Sequence, residues 1–245
     1  MIEALTGKVG SGKTLKGTSD SLGHFIKGGC VCTNIEYDRD ALARYCWKRG
    51  HRFKDSQYVE LPMRKDPCFH RYMRQNVRGD LVVKVYIDEA HLFFSAGEYR
   101  DLKKEFGAVE SFVSQSRRVG CDIYFITQAW ENVWGQLRKQ ALFEVKCRDL
   151  RVIEFPMFGT ALGGLLGMSW TKVDCQSGAV LESGKTKLAR DIFSCYNTMQ
   201  AYDDAMAEIM ATMPVFQRAT EKVGLLRRIF GNPDRTQSAE LETNS

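Results

Sequence analysis

The octapeptide Gly7-Lys8-Val9-Gly10-Ser11-Gly12-Lys13-Thr14 fits the pattern G-x-x-x-x-G-K-[ST], and the segments on either side limit what it can become. Before it, Ile2-Glu3-Ala4-Leu5-Thr6 suits a short buried strand; after it, Leu15-Lys16-Gly17-Thr18 continues in helical register, and the helix is expected to run to Lys27. A strand that ends in a glycine loop and restarts as a helix is the context in which such a loop wraps phosphate. Gly7, Gly10 and Gly12 let successive N–H groups converge on phosphate oxygens, and the helix N-terminus adds the positive end of its dipole. In that arrangement Lys13 reaches the β- and γ-phosphates and Thr14 binds Mg²⁺, so the expected ligand is a triphosphate such as ATP.

A second stretch completes such a site. Leu81-Val82-Val83-Lys84-Val85-Tyr86-Ile87 is a near-continuous β-branched run, as expected of a strand covered on both faces of a parallel sheet. It runs directly into Asp88-Glu89. An acid at the carboxyl end of a strand beside a glycine loop is placed to hold Mg²⁺ through water, and Glu89 to polarise an attacking water. Asp122 to Thr127 reads as another buried strand; Gln128 at its end could contact the γ-phosphate or the lytic water. Arg117 and Arg118 precede that strand, and one of them could reach the γ-phosphate bound by a neighbouring subunit. With helices expected over 39–49, 99–118 and 132–140, and one or two strands over 142–155, the alternation argues for a doubly wound α/β domain.

Net charge is +5, but its distribution matters more. Between Arg39 and Arg78 there are eleven Lys/Arg against four Asp/Glu, interleaved with Tyr45, Trp47, Phe53, Tyr58, Phe69 and Tyr72. Cations among aromatics suit nucleic-acid phosphates and bases; an ordinary solvated surface or a subunit contact fits the same composition. Residues 50–79 show no clear period and, with Pro62 and Pro67, read as an irregular part of a basic insertion over about 39–79. The eight cysteines lack paired C-x-x-C spacing and read as reduced thiols. Tyr202, Met206, Ile209, Met210 and Met213 form one helical stripe that stops at Pro214, and 232–245 are polar enough to stay disordered.

Several features occur in order: Gly7–Thr14, a short strand leading to Asn34, Ile87-Asp88-Glu89-Ala90, Arg117-Arg118-Val119-Gly120-Cys121-Asp122, and Ile126-Thr127-Gln128. With Leu137-Arg138 and the segment Ile192 to Thr198, the order resembles the zonular occludens toxin (Zot) family, which includes the assembly ATPases of filamentous phages. The resemblance covers roughly residues 1–200, and the layout is also similar to the wider FtsK–HerA group, with its viral genome-packaging ATPases. It implies a RecA/FtsK–HerA-like P-loop NTPase: a three-layer α/β sandwich with a mainly parallel sheet; the helical stripe beyond it reads as a C-terminal helical extension over 201–231. It further implies a homo-oligomeric ring that hydrolyses ATP to move phage DNA, with Gln128 as sensor and an arginine finger supplied in trans. Other phage assembly or capsid proteins would be partners. The setting would be the host cytoplasm, the periphery of the inner membrane, or the virion.

Typical filamentous-phage members carry a membrane-spanning helix after the ATPase domain. The longest uncharged run here, Phe155 to Trp170, is sixteen residues and contains Pro156, so it reads better as a buried or glycine-rich segment. The basic, amphipathic Val223 to Phe230 is the other candidate for contact with a membrane surface. Two further readings compete on the residues alone. A small nucleotide kinase would use 39–78 as a lid, and a nucleotide-dependent switch would bind without turnover.

Overall fold

The computed structural model describes residues 1–61, 82–97, 103–150, 167–186 and 190–196. All of these fall within the unit Met1–Asn197; the unit Thr198–Ser245, with the methionine stripe and polar tail, lies outside the described residues.

Eight strands form one sheet: β1 (Ile2–Thr6), β2 (Val31–Thr33), β3 (Tyr58–Glu60), β4 (Val83–Ile87), β5 (Cys121–Thr127), β6 (Phe143–Asp149), β7 (Met168–Asp174) and β8 (Val180–Thr186). Their order is β3-β2-β4-β5-β1-β6-β7-β8. The six strands from β3 to β6 run parallel, and β7 and β8 extend the sheet antiparallel.

The alternation of side chains along the strands divides the core in two. Val83, Val85 and Ile87 of β4 and Cys121, Ile123 and Phe125 of β5 point to one face. There they meet Val109, Phe112 and Val113 of α4 (Lys103–Ser114) and Leu137 of α5 (Gly135–Gln140). Tyr86 and Tyr124 point the other way, their rings stacked 4.4 Å apart. They lie in the cluster that holds Leu15, Leu22 and Phe25 of α1 (Lys13–Ile26) and Leu42 of α2 (Arg39–Trp47). Helices on both faces of a mainly parallel sheet make the three-layer sandwich that the alternation predicts. Two shorter helices, α3 (Ala90–Phe93) and α6 (Arg190–Phe193), follow β4 and β8 in the chain.

The edges differ from the sequence reading. The stretch read as irregular contains a 3₁₀ turn, Asp55–Gln57, and the edge strand β3, which pairs parallel with β2. Three residues are too few to show a period. What fixes β3 is non-local: the Gln57 side-chain amide donates to the carbonyls of Phe25 (3.2 Å) and Gly29 (3.1 Å), tying it to the end of α1. The β7–β8 hairpin is also absent from that reading, and Met168 to Trp170 of the uncharged run belong to β7. Asp174 organises its turn by accepting from the N–H groups of Gln176 and Ser177. Residues 62–81 and 151–166, with the rest of the basic stretch and of the uncharged run, lie outside the described residues.

Candidate functional site

In a parallel sheet, ligands collect at the carboxyl ends of the strands. Here β5 lies between β1 and β4, in register Thr6 to Thr127 and Ile87 to Phe125. Gly7 and Gln128 therefore emerge side by side, and Asp88 emerges two residues lower on the other flank of β5.

The loop after β1 turns on glycine. Gly12 caps α1 with φ 85°, in the left-handed region that disfavours a side chain, and a Cβ there would run into Met168 Sδ. Met168 thus covers the loop from β7. Lys13 opens α1 and is buried, its Nζ donating to the Lys8 carbonyl at 3.0 Å. The next residue faces β4: Thr14 Oγ1 donates to Asp88 Oδ2 at 2.9 Å. Ser11 Oγ is buried in the loop with no hydrogen-bond partner. Val9 stands out from the loop at 82 % exposure.

Asp88 is held by its own main chain as well. The Asn34 side chain, just past β2, accepts from the Asp88 N–H at 2.7 Å and donates to the Asp88 carbonyl at 2.9 Å. Asp88 Oδ1 accepts from the N–H of Glu89 at 2.9 Å. Glu89 then adopts φ 50°, the single non-glycine residue with positive φ among the described residues. Such a conformation costs roughly 1–2 kcal/mol. It ends β4 sharply and starts α3.

The charges follow from this crowding. Burial pushes the Asp88 carboxyl up to about 6, with the Glu89 charge adding to the rise and the Thr14 and Glu89 N–H hydrogen bonds opposing it. Burial also raises Glu89, against the pull of Lys13. His91, on α3, is lowered by burial and then by Lys13. Its Nδ1 lies 3.0 Å from Thr127 Oγ1 at the end of β5 and 3.3 Å from Glu89 Oε2. The closing segment reaches the same neighbourhood: Tyr196 makes an antiparallel bridge with Tyr37, and burial raises its pKa to about 12, with the nearby Asp88 adding to the rise.

The sequence candidates are thus distributed unevenly. Gly7, Lys8, Val9, Gly10, Ser11, Gly12, Lys13, Thr14, Asp88 and Glu89 form one cluster, and Gln128 is exposed at the neighbouring strand end. Arg117 and Arg118 are exposed in the turn that enters β5. That turn lies at the opposite end of the sheet, a seven-residue strand of roughly 20 Å away, so neither arginine can serve the pocket of its own chain. Asn34 and His91 carry geometry that spacing did not reveal; the one local hint is that His91 falls three residues after Asp88.

The basic stretch is partly committed to the fold. Arg39 lies over the Tyr58 ring (4.8 Å) and pairs with Asp55, and Arg49 lies over Tyr45 (3.5 Å) and pairs with Asp191. Tyr58 is buried, and Phe53 packs edge-on against Phe25. Trp47 is different: it is 75 % exposed, and Arg44, Lys48 and Arg52, near it in sequence, are exposed as well. All described cysteines are free thiols, and no described helix is long and apolar enough to cross a membrane.

The donor set fits a magnesium–triphosphate. Thr14 and Asp88 present hard oxygen donors side by side, the glycine loop leaves room for backbone approach, and the orphaned Ser11 hydroxyl has bonding capacity to spare. Known structures resemble this fold. The genome packaging NTPase B204 from Sulfolobus turreted icosahedral virus 2 superposes with TM-score 0.50 at 14% identity, over 76% of this chain and 98% of that one. The DNA-packaging ATPase B204 from Sulfolobus turreted icosahedral virus also gives 0.50, at 18% identity, over 76% of this chain and 97% of that one. These likenesses identify the P-loop NTPase fold. In sequence, the gene 1 protein of Escherichia phage If1 is 25% identical over 83% of this chain, and that of Enterobacteria phage M13 is 26% identical over 81%. The chain spans about 60% of the length of those relatives. The family model for zonular occludens toxin (Zot) matches residues 1–163, two thirds of the chain and all of the cluster around Lys13 and Asp88. The chain belongs to the zonular occludens toxin (Zot) family.

Proposed function

We propose that this chain is an ATP-hydrolysing motor domain of phage morphogenesis that acts on phage DNA, either to package it or to extrude it during assembly. The observation that carries the reading is the hydrogen bond from Thr14 to Asp88, which joins the glycine loop and the acid pair in one pocket across 74 positions of sequence. Membership of a family whose phage relatives are gene 1 proteins supports the morphogenetic setting.

In this reading the loop N–H groups and Lys13 bind the phosphates, while Thr14 and Asp88 hold Mg²⁺. Bound Mg²⁺ would supply charge neutralisation at the β- and γ-oxygens. Glu89 accepts a proton from the attacking water; burial raises its pKa, which makes its carboxylate a better base than that of an ordinary glutamate. Gln128 senses the γ-phosphate from the end of β5. Arg117 or Arg118 acts on a neighbour's pocket, so the working form is a homo-oligomer, and capsid or other assembly proteins would receive its work in the host cytoplasm.

ATP turnover by the purified chain, with and without single- and double-stranded DNA, tests this. Lys13→Ala and Glu89→Gln should abolish turnover and leave the fold intact. Stimulation should come from DNA, weaken as salt rises, and be absent with nucleoside monophosphates, the acceptors a kinase would need. Undiminished turnover by Lys13→Ala would refute the site.

A further inference from the structure

We infer that His91 is a positioning residue, a latch that alternates between Thr127 and Glu89 and so reports the state of the β5 end to the catalytic glutamate. This rests on the reading of Glu89 as the base.

Three observations carry it. First, His91 Nδ1 lies within 3.0 Å of Thr127 Oγ1 and 3.3 Å of Glu89 Oε2. One ring nitrogen offers a single N–H or a single lone pair, so it can serve one of these oxygens well, not both. Second, it now serves Thr127: Glu89 Oε2 is buried and makes no hydrogen bond despite its neighbour. A buried carboxylate oxygen without a partner is costly, so the alternative bond is held in reserve a few tenths of an ångström away. Third, Thr127 Oγ1 also accepts from the N–H of Ala129 at 3.1 Å, which fixes the turn containing Gln128. Any displacement of that turn moves the hydroxyl that His91 holds.

The two states have opposite effects on chemistry. With Nδ1 on Thr127, the ring is held 3.3 Å from Glu89 Oε2 and keeps the carboxylate aimed while leaving it free to take a proton, so removing the ring costs that aim. With the Nδ1–H turned to Glu89, the carboxylate is occupied and parked. The positive φ of Glu89 limits the directions its side chain can take, so a shift of one partner is enough to change its aim.

The experiment combines turnover, ATP affinity and the ring nitrogens of His91. His91→Ala should lower kcat at least tenfold and leave the Kd for ATP within twofold. His91→Asn can place an amide nitrogen near the Nδ1 position and should recover most of the loss. Thr127→Val should slow turnover by a similar factor, and the double variant should be no slower than the slower single. In the nucleotide-free protein, Thr127→Val and Glu89→Gln should each shift the His91 ring ¹⁵N resonances, a readout independent of turnover. The latch is overturned if those resonances stay put, if His91→Ala turns over at the wild-type rate, or if the single effects multiply in the double variant. A wild-type chain that binds ATP without turnover would instead overturn the role given to Glu89, and the latch with it.

Discussion

Asn34 holds the peptide units of Asp88 from both sides, accepting from its N–H at 2.7 Å and donating to its carbonyl at 2.9 Å. The two residues are 54 positions apart, just past the ends of adjacent strands β2 and β4. The contact fixes the backbone one residue before the strained Glu89. Asn34→Ala leaves both groups without this partner, at about 1–3 kcal/mol for a buried group left unpaired. We expect a lower Tm and a kcat reduced at least tenfold, read by thermal denaturation and ATP turnover. Asn34→Asp should be worse than Asn34→Ala for turnover, because it loses the donor and adds a third negative charge. Equal turnover in the two variants would refute the electrostatic part.

Glu89 sets function against stability. Its φ of 50° favours glycine, so Glu89→Gly should relieve about 1 kcal/mol of strain and remove a half-buried carboxylate with one buried, unpartnered oxygen. The expected outcome is a protein with unchanged or higher Tm and no ATP turnover. A drop in Tm would show that the glutamate is held in place by contacts worth more than its strain.

Asp88 gives stability a pH dependence of definite sign. Its carboxyl titrates at about 6 when folded, against 3.8 for an unburied aspartate. The folded state therefore binds more protons than the unfolded state between those values, and stability falls as pH rises through the window from roughly 4 to 6. The difference corresponds to about 3 kcal/mol at most without a bound cation. Asp88→Asn should remove this penalty, raising the metal-free Tm at pH 7.5 and having little effect at pH 4. Equal stabilisation at both pH values would rule out the charge as the cause.

Trp47 is the described aromatic of the basic stretch that is left open to a partner. Stacking of a base on an aromatic is worth about 1–3 kcal/mol by alanine substitution. Trp47→Ala should therefore weaken single-stranded DNA binding roughly 5- to 150-fold in a fluorescence titration, with ATP turnover without DNA unchanged. Lys48→Ala and Arg52→Ala should instead lower the slope of log affinity against log salt. An unaltered affinity for Trp47→Ala would move the DNA contact elsewhere.

Much of the centre of the fold is legible in the sequence because its signals are local. The glycine loop, the run into Ile87 and the strand ending at Thr127 each announce themselves within ten residues, and Thr14 and Asp88 do meet in a hydrogen bond. The margins are not local. Strand β3 is three residues whose position depends on Gln57 reaching the end of α1. The β7–β8 hairpin has one exposed strand, where Val180 and Leu181 face outward and blur the alternation. Its Ser177-Gly178 turn was the available cue. The partnerships of Asn34 with Asp88 and of His91 with Thr127 depend on β2, β4 and β5 being neighbours, which no single stretch of chain encodes.

Strand β5 has one further property. Its entry turn carries Arg117 and Arg118, its exit carries Thr127 and Gln128, and both its flanks are bonded to neighbouring strands, β4 and β1. A rod clamped along its length conveys a push better than it absorbs one. In the oligomer proposed above, whatever grips those arginines from outside would gain mechanical access to a pocket it never touches, and each chain of a circle would be cued by the one before.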